Sequence, residues 1–222
     1  MKLPKATEGS VWYQGRFESP AFKLWGSPAG LAEKVYHILK EHGATPQDFT
    51  IEGSAGSSAI VYNVLKSNFI IRIRLDGFEA TFNSINLIGA INAAKIGIGC
   101  WQAIKDSDNS MDLSQHELTI ALQFRVESDR HKEIINAYVT KPKSLPPDTL
   151  SGVAFYLPAG QRTGDRGGSI VLDRLTVGAD LYLTMRVGMI IDAKQVDVPA
   201  FEKYVDDYLA DTFSKIGIEI EN

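Results

Sequence analysis

Glycine and arginine crowd together once in this chain, in the run Gly160-Gln161-Arg162-Thr163-Gly164-Asp165-Arg166-Gly167-Gly168. Exposed backbone N–H groups and forked guanidinium groups both suit a phosphate, so Arg162, Gly164, Arg166, Gly167 and Gly168 form a candidate anion-binding loop. The run lacks the lysine and hydroxyl order of a P-loop and the glycine spacing of a dinucleotide site, and a solvated hairpin linker is the simpler account of it. A second set of candidates lies on strands that alternate apolar and polar residues. Arg72, Arg74, Arg125, Tyr182 and Arg186, with Glu79 and Thr184, fall on the polar side of that alternation and would form a partner-binding platform if the two halves share one sheet.

Catalytic and metal constellations are absent from the local sequence. The four histidines, His37, His42, His116 and His131, show no pair four residues apart bracketing a glutamate, and no Gly-x-Ser-x-Gly elbow occurs. His37 and His42 sit near a helix end, where the dipole favours a cation. The neighbours Asp206-Asp207, and Asp106 with Asp108, fit a helix surface and a linker better than a shared-proton dyad. Cys100 is the single cysteine, which rules out an intramolecular disulfide and a cysteine-built zinc site. It lies beside Trp101 in an apolar segment and reads as a small buried hydrophobe. No residue is assigned a catalytic or metal-binding role, no cofactor is expected, and the chain reads as one that binds rather than catalyses.

The elements that must position these residues follow from periodicity. Gly15 to Trp25 reads as a strand. A helix runs from the N-cap Ser27 through Leu31, Val35, Ile38 and Leu39 to a stop at Gly43. Strands are expected at Phe49 to Ala55, Ala59 to Leu65, Asn68 to Leu75 and Phe78 to Asn83, the last two joined by Asp76-Gly77. Leu87 to Lys105 forms a helix rich in small residues, including Gly89, Gly97 and Gly99. Interior glycine costs about 0.5 to 1 kcal/mol against alanine, so tight docking on a sheet or a self-association seam should accompany it. The polar stretch Asp106 to Ser110 marks a boundary. Beyond it come strand Leu113 to Val126, a helix capped by Ser128, and strands Ser151 to Leu157, Ser169 to Val177 and Ala179 to Ile191. A helix from Pro199 to Ser214 and a short tail strand within Ile216 to Ile220 close the chain.

Each half thus carries strand, helix, several antiparallel strands, helix: an α+β fold of two similar β-α-β(3-4)-α modules with the helices on one face of the sheet. The expected layout is a flexible segment 1–10, a first module 11–106 and a second 111–222. In element order this resembles the repeat of the TATA-binding protein and, more distantly, the helix-grip folds, which implies long helices lying across one face of a curved sheet. Fold likeness does not itself transfer an activity.

Composition narrows the function classes. Of the 222 residues 44% are hydrophobic and 23% charged, as in ordinary globular proteins. Acidic residues outnumber Lys and Arg 27 to 23, and the pI near 5.6 disfavours nucleic acid as a partner. No stretch approaches the roughly 18 apolar residues of a membrane span and no secretory h-region opens the chain, so a cytoplasmic protein without a membrane partner is expected. The leading expectation is a non-enzymatic binding or adaptor protein that engages a protein partner through an exposed sheet face, with self-association to a homodimer. Two alternatives are a small-molecule binder or hydrolase-like protein with a helix–sheet cavity near Phe69, Phe78, Phe82, Tyr204 and Tyr208, and nucleotide or nucleic-acid binding through the Arg162–Gly168 loop.

Overall fold

A computed structural model describes residues 2–22, 26, 28–52, 59–64, 68–83, 87–106, 112–139, 151–159, 164–177, 180–195 and 198–220. The strands are β1 (Lys2–Leu3), β2 (Glu8–Phe17), β3 (Phe49–Glu52), β4 (Ala59–Val64), β5 (Phe69–Arg74), β6 (Gly77–Asn83), β7 (Leu113–Arg125), β8 (Val153–Leu157), β9 (Asp165–Val177), β10 (Asp180–Asp192) and β11 (Glu219–Ile220). The helices are α1 (Pro28–Lys40), α2 (Leu87–Lys105), α3 (Ser128–Asn136) and α4 (Val198–Lys215). Nine strands form one antiparallel sheet in the order β3-β4-β5-β6-β2-β7-β10-β9-β8, and β1 pairs with β11 in a separate two-stranded parallel sheet. The fold is α+β. Among the described residues no helix is long and apolar enough to cross a membrane.

One side of every central strand is apolar because side chains alternate across a strand. On β7, Leu118, Ile120, Leu122 and Phe124 are buried while Glu117, Thr119, Ala121 and Gln123 between them are half-buried. On β10, Leu183, Met185, Val187, Met189 and Ile191 are buried in the same phase. Residues of this phase meet the helices. The phenol of Tyr62 on β4 donates to the Ala32 carbonyl of α1, and Gly97 of α2 lies over Ala80 and Tyr13. Tyr138, just past α3, sets its ring edge-on to Phe155 of β8 at 5.4 Å. Tyr208 of α4 reaches the Gly188 carbonyl of β10 at 3.5 Å. The helices therefore lie on one side of the sheet, and the alternate residues face away from them.

Close approach explains some of the glycines. A Cβ on Gly97 would stand 3.1 Å from the Ala80 Cβ and 3.4 Å from the Tyr13 ring, so its absence lets α2 settle on β2 and β6; Gly99, in contrast, faces open space. Gly43 takes φ 88 and closes α1, with the Ala44 N–H donating to the Leu39 carbonyl. Gly168 is the tightest of the sheet glycines: a Cβ there would fall 2.2 Å from the Gly188 carbonyl oxygen and 2.5 Å from the Tyr208 hydroxyl. Gly168→Ala is expected to destabilise the fold by about 1–3 kcal/mol, the usual cost of overpacking. Adding Tyr208→Phe should restore only part of that loss, because the carbonyl contact remains; urea denaturation of both variants reads it.

Several boundaries differ from those expected. The first long strand is Glu8–Phe17, not Gly15 to Trp25, and Phe22, beyond it, is 71% exposed. Segment 1–10, expected to be flexible, contributes β1, the start of β2 and the buried Leu3. The β5–β6 connection is Leu75-Asp76, with Gly77 already in β6, because the Ala21 and Phe17 N–H groups donate to the Leu75 and Asp76 carbonyls and hold the turn one residue earlier. Asp165 to Gly168, read as loop, belongs to β9. The expected cap Ser27 lies outside the described residues.

Candidate functional site

The side of the sheet turned away from the helices gathers most of the platform residues. Cross-strand register places Arg72 opposite Glu79, Glu79 opposite Gln14, and Gln14 opposite Glu117, in one row over β5, β6, β2 and β7. Arg125 stands opposite Tyr182, and Arg186 between Ala121 and Val171. The five predicted platform residues therefore share a face but form two groups. Arg72 and Arg74 sit on β5; Arg125, Tyr182 and Arg186 sit on β7 and β10. Four strand spacings separate β5 from β10, roughly 19 Å at about 4.8 Å each. Arg72 and Arg74 both pair with Glu79, at 3.5 and 3.3 Å. Arg186 is exposed and has no ion-pair partner among the described residues.

A concavity of about 460 Å³ opens on this face, lined by Gln14, Arg16, Phe17, Arg74, Asp76, Gly77, Phe78, Glu79 and Ser114. Its form follows from register. Arg16 on β2 pairs with Gly77 on β6, so the position beside the Arg16 side chain holds no side chain of its own. A Cβ on Gly77 would lie 2.8 Å from the Gly15 carbonyl oxygen, which ties this position to glycine. At the far end of the central strand pair, Arg125 has Tyr182 as its cross-strand neighbour where Arg16 has Gly77.

Arg16 and Gln14 were missed by sequence reasoning, and a signal for them exists. Gln14-Gly15-Arg16-Phe17-Glu18-Ser19 recurs as Gln123-Phe124-Arg125-Val126-Glu127-Ser128, with Glu8 and Glu117 six residues ahead of each glutamine. The outward Gln and Arg match, while the inward residues differ.

The glycine–arginine run is only partly visible: Gly160 to Thr163, and so Arg162, lie outside the described residues. In the described part, carboxylates already occupy the donors. Arg166 donates to Asp192 at 2.6 Å, and the Gly167 N–H donates to Asp165 at 2.7 Å. The Arg166 hydrogen bond, with the Lys194 N–H, holds the Asp192 carboxyl below its usual range. Gly164 and Gly167 take positive φ of 79 and 96 as the chain turns into β9. Gly168 pairs with Met189 inside the sheet.

The remaining reactive groups are in the core. Cys100 is fully buried and burial pushes its thiol up to about 12, so it is not a nucleophile at neutral pH. Tyr13 and His116, on β2 and β7 beneath α2, join at 2.7 Å between the Tyr hydroxyl and Nδ1. Phe69 and Phe82 lie with ring centroids 4.0 Å apart, tilted by 33°, inside the core. Among the described residues no group of three His, Cys, Asp or Glu side chains is placed to hold a metal ion. Comparison of the sequence with models of known protein families gave no match, and comparison with curated proteins gave none either. The functional reading therefore rests on the geometry of the open face.

Proposed function

We propose that the chain is a non-enzymatic binding protein that engages a protein partner through the open face of its nine-stranded sheet. The observation that carries this reading is a continuous face, turned away from the helices, that bears five arginines and several carboxylates. Interfaces favour arginine and tyrosine, and Arg186 and Tyr182 stand on this face beside small neighbours such as Ala121. Its mixed charge, together with the net charge of −4, suits a protein surface better than a polyanion.

The two-module organisation, 11–106 and 111–222 in TATA-binding-protein-like order, is part of the same proposal. The strand order supports it: β2 and β7 pair at the centre, with β6 and β10 on their outer sides. The recurrence of Gln-x-Arg-x-Glu-Ser at equivalent ends of β2 and β7 supports it further. Cross-strand register sets Gln14 against Glu117 and Gln123 against Glu8, so the repeated residues meet each other across the seam. A duplicated unit joined at its first strand would produce that pattern.

The experiment is affinity capture with the tagged chain, followed by titration of the captured partner against an Arg72→Ala/Arg74→Ala/Arg186→Ala triple variant. Loss of three interface arginines should weaken binding by about a hundredfold or more, as expected when anchors each contribute over about 1 kcal/mol. Unchanged affinity would remove this face from consideration.

A further inference from the structure

We propose that the concavity at Arg16, Gly77 and Asp76 binds a small zwitterion, an α-amino acid or a short peptide with free termini, its carboxylate on Arg16 and its ammonium on Asp76. Four charged residues line the space. Glu79 is already engaged by two guanidinium groups, Arg74 at 3.3 Å and Arg72 at 3.5 Å. That leaves Arg16 and Asp76. Both are exposed, both line the same concavity, and among the described residues neither side chain has an ion-pair or hydrogen-bond partner; nor do they pair with each other.

A ligand bearing only an anion would gain Arg16 but leave the Asp76 carboxylate unanswered beside it. A ligand bearing only a cation would meet Arg16 and Arg74. A molecule with both charges complements the two unmatched groups at once, and charge-assisted hydrogen bonds to guanidinium and carboxylate are the stronger kind. Gln14 and Ser114 add neutral donors and acceptors to the same lining. The Ser114 hydroxyl meanwhile bonds the Arg16 carbonyl at 3.3 Å, tying β7 to the backbone that carries the guanidinium. The volume, about 460 Å³, falls within the usual range of small-ligand sites.

The other copy of the Gln-x-Arg element serves as an internal comparison. Arg125 faces the same side of the sheet, but its cross-strand neighbour is Tyr182, where Gly77 stands beside Arg16. The place beside Arg16 thus lacks the side chain that stands beside Arg125. This inference goes beyond the partner surface and does not depend on it.

Saturation-transfer NMR on the full chain, with the standard amino acids and tri-alanine as probes, tests it. Saturable binding of at least one probe is expected, and the preference between free amino acids and tri-alanine identifies which source fits. N-acetylation or amidation of the bound probe should each weaken binding about tenfold or more, as should Arg16→Ala and Asp76→Asn, while Lys203→Ala, at an exposed position of α4, leaves it unchanged. No saturable binding of any probe at millimolar concentration, equal binding of the capped forms, or indifference to Arg16→Ala would overturn the assignment. Partner capture is read separately, so failure here and failure of the sheet-face proposal are distinguishable.

Discussion

Acidification from neutral to about pH 4 should strip about 3 kcal/mol of stability from the chain through one residue, His116. Its imidazole is 2% exposed, and burial, with a further contribution from the Lys105 charge, brings its pKa down to about 4 from 6.5. The phenol of Tyr13 is fully buried, its pKa is raised by that burial, and its hydroxyl shares a hydrogen bond with Nδ1 of the imidazole. Protonating the ring would put a charge into the core. The folded chain therefore holds His116 neutral while the unfolded chain takes up a proton below about 6.5. Stability from this group is complete above the unfolded value and is lost as pH falls to the folded one. At 1.36 kcal/mol per tenfold, the interval from 6.5 to about 4 gives that magnitude. Urea denaturation at stepped pH should show the loss in the parent chain. It should be smaller by about the same amount in Tyr13→Phe/His116→Phe, which removes donor and acceptor together and leaves apolar rings. Parallel pH profiles for the two proteins would refute the assignment.

Trp101→Ala should cost more, about 3–5 kcal/mol, the range for truncating a buried large aromatic. Trp101 is 2% exposed on α2, and its ring lies 5.6 Å from that of Phe17 at the end of β2. Removing the indole leaves a cavity where α2 meets the strand that carries Arg16, and domains of this kind have only about 5–15 kcal/mol in total. The expected result is a marginally folded chain whose denaturation midpoint falls sharply, with zwitterion binding lost only in the unfolded fraction. A shift under about 1 kcal/mol would mean that the site collapses around the missing ring.

Much of the fold was legible because periodicity reports burial. The limits of α2, Leu87 and Lys105, match the apolar and small-residue run, and β7 shows the alternation its burial requires. The first long strand was misplaced for a specific reason. Its inward positions include Gly9 and Gly15, and at Gly15 the space is filled by Leu113, whose Cδ1 lies 2.8 Å from where a Cβ would stand. The apolar side chain completing the pattern comes from another strand, and no local window contains it. The glycine–arginine run misled in a similar way, since Arg166 finds its carboxylate at Asp192, 26 residues on, and becomes part of a strand margin. The platform arginines were readable one by one from their phase. Their division into two groups was not, because it depends on β2 and β7 lying between β6 and β10.

That central position of β2 and β7 has a further consequence. Ten register pairs, from Glu8 with Gln123 to Phe17 with Leu113 with one shift after Arg16, run along the junction. Were the chain severed near residue 108, each fragment would bare a long row of unanswered amides and carbonyls flanked by Val11 and Tyr13, or by Leu118 and Ile120. Such margins recruit foreign strands and precipitate. The pairing of β2 with β7 thus shields two long edges at once.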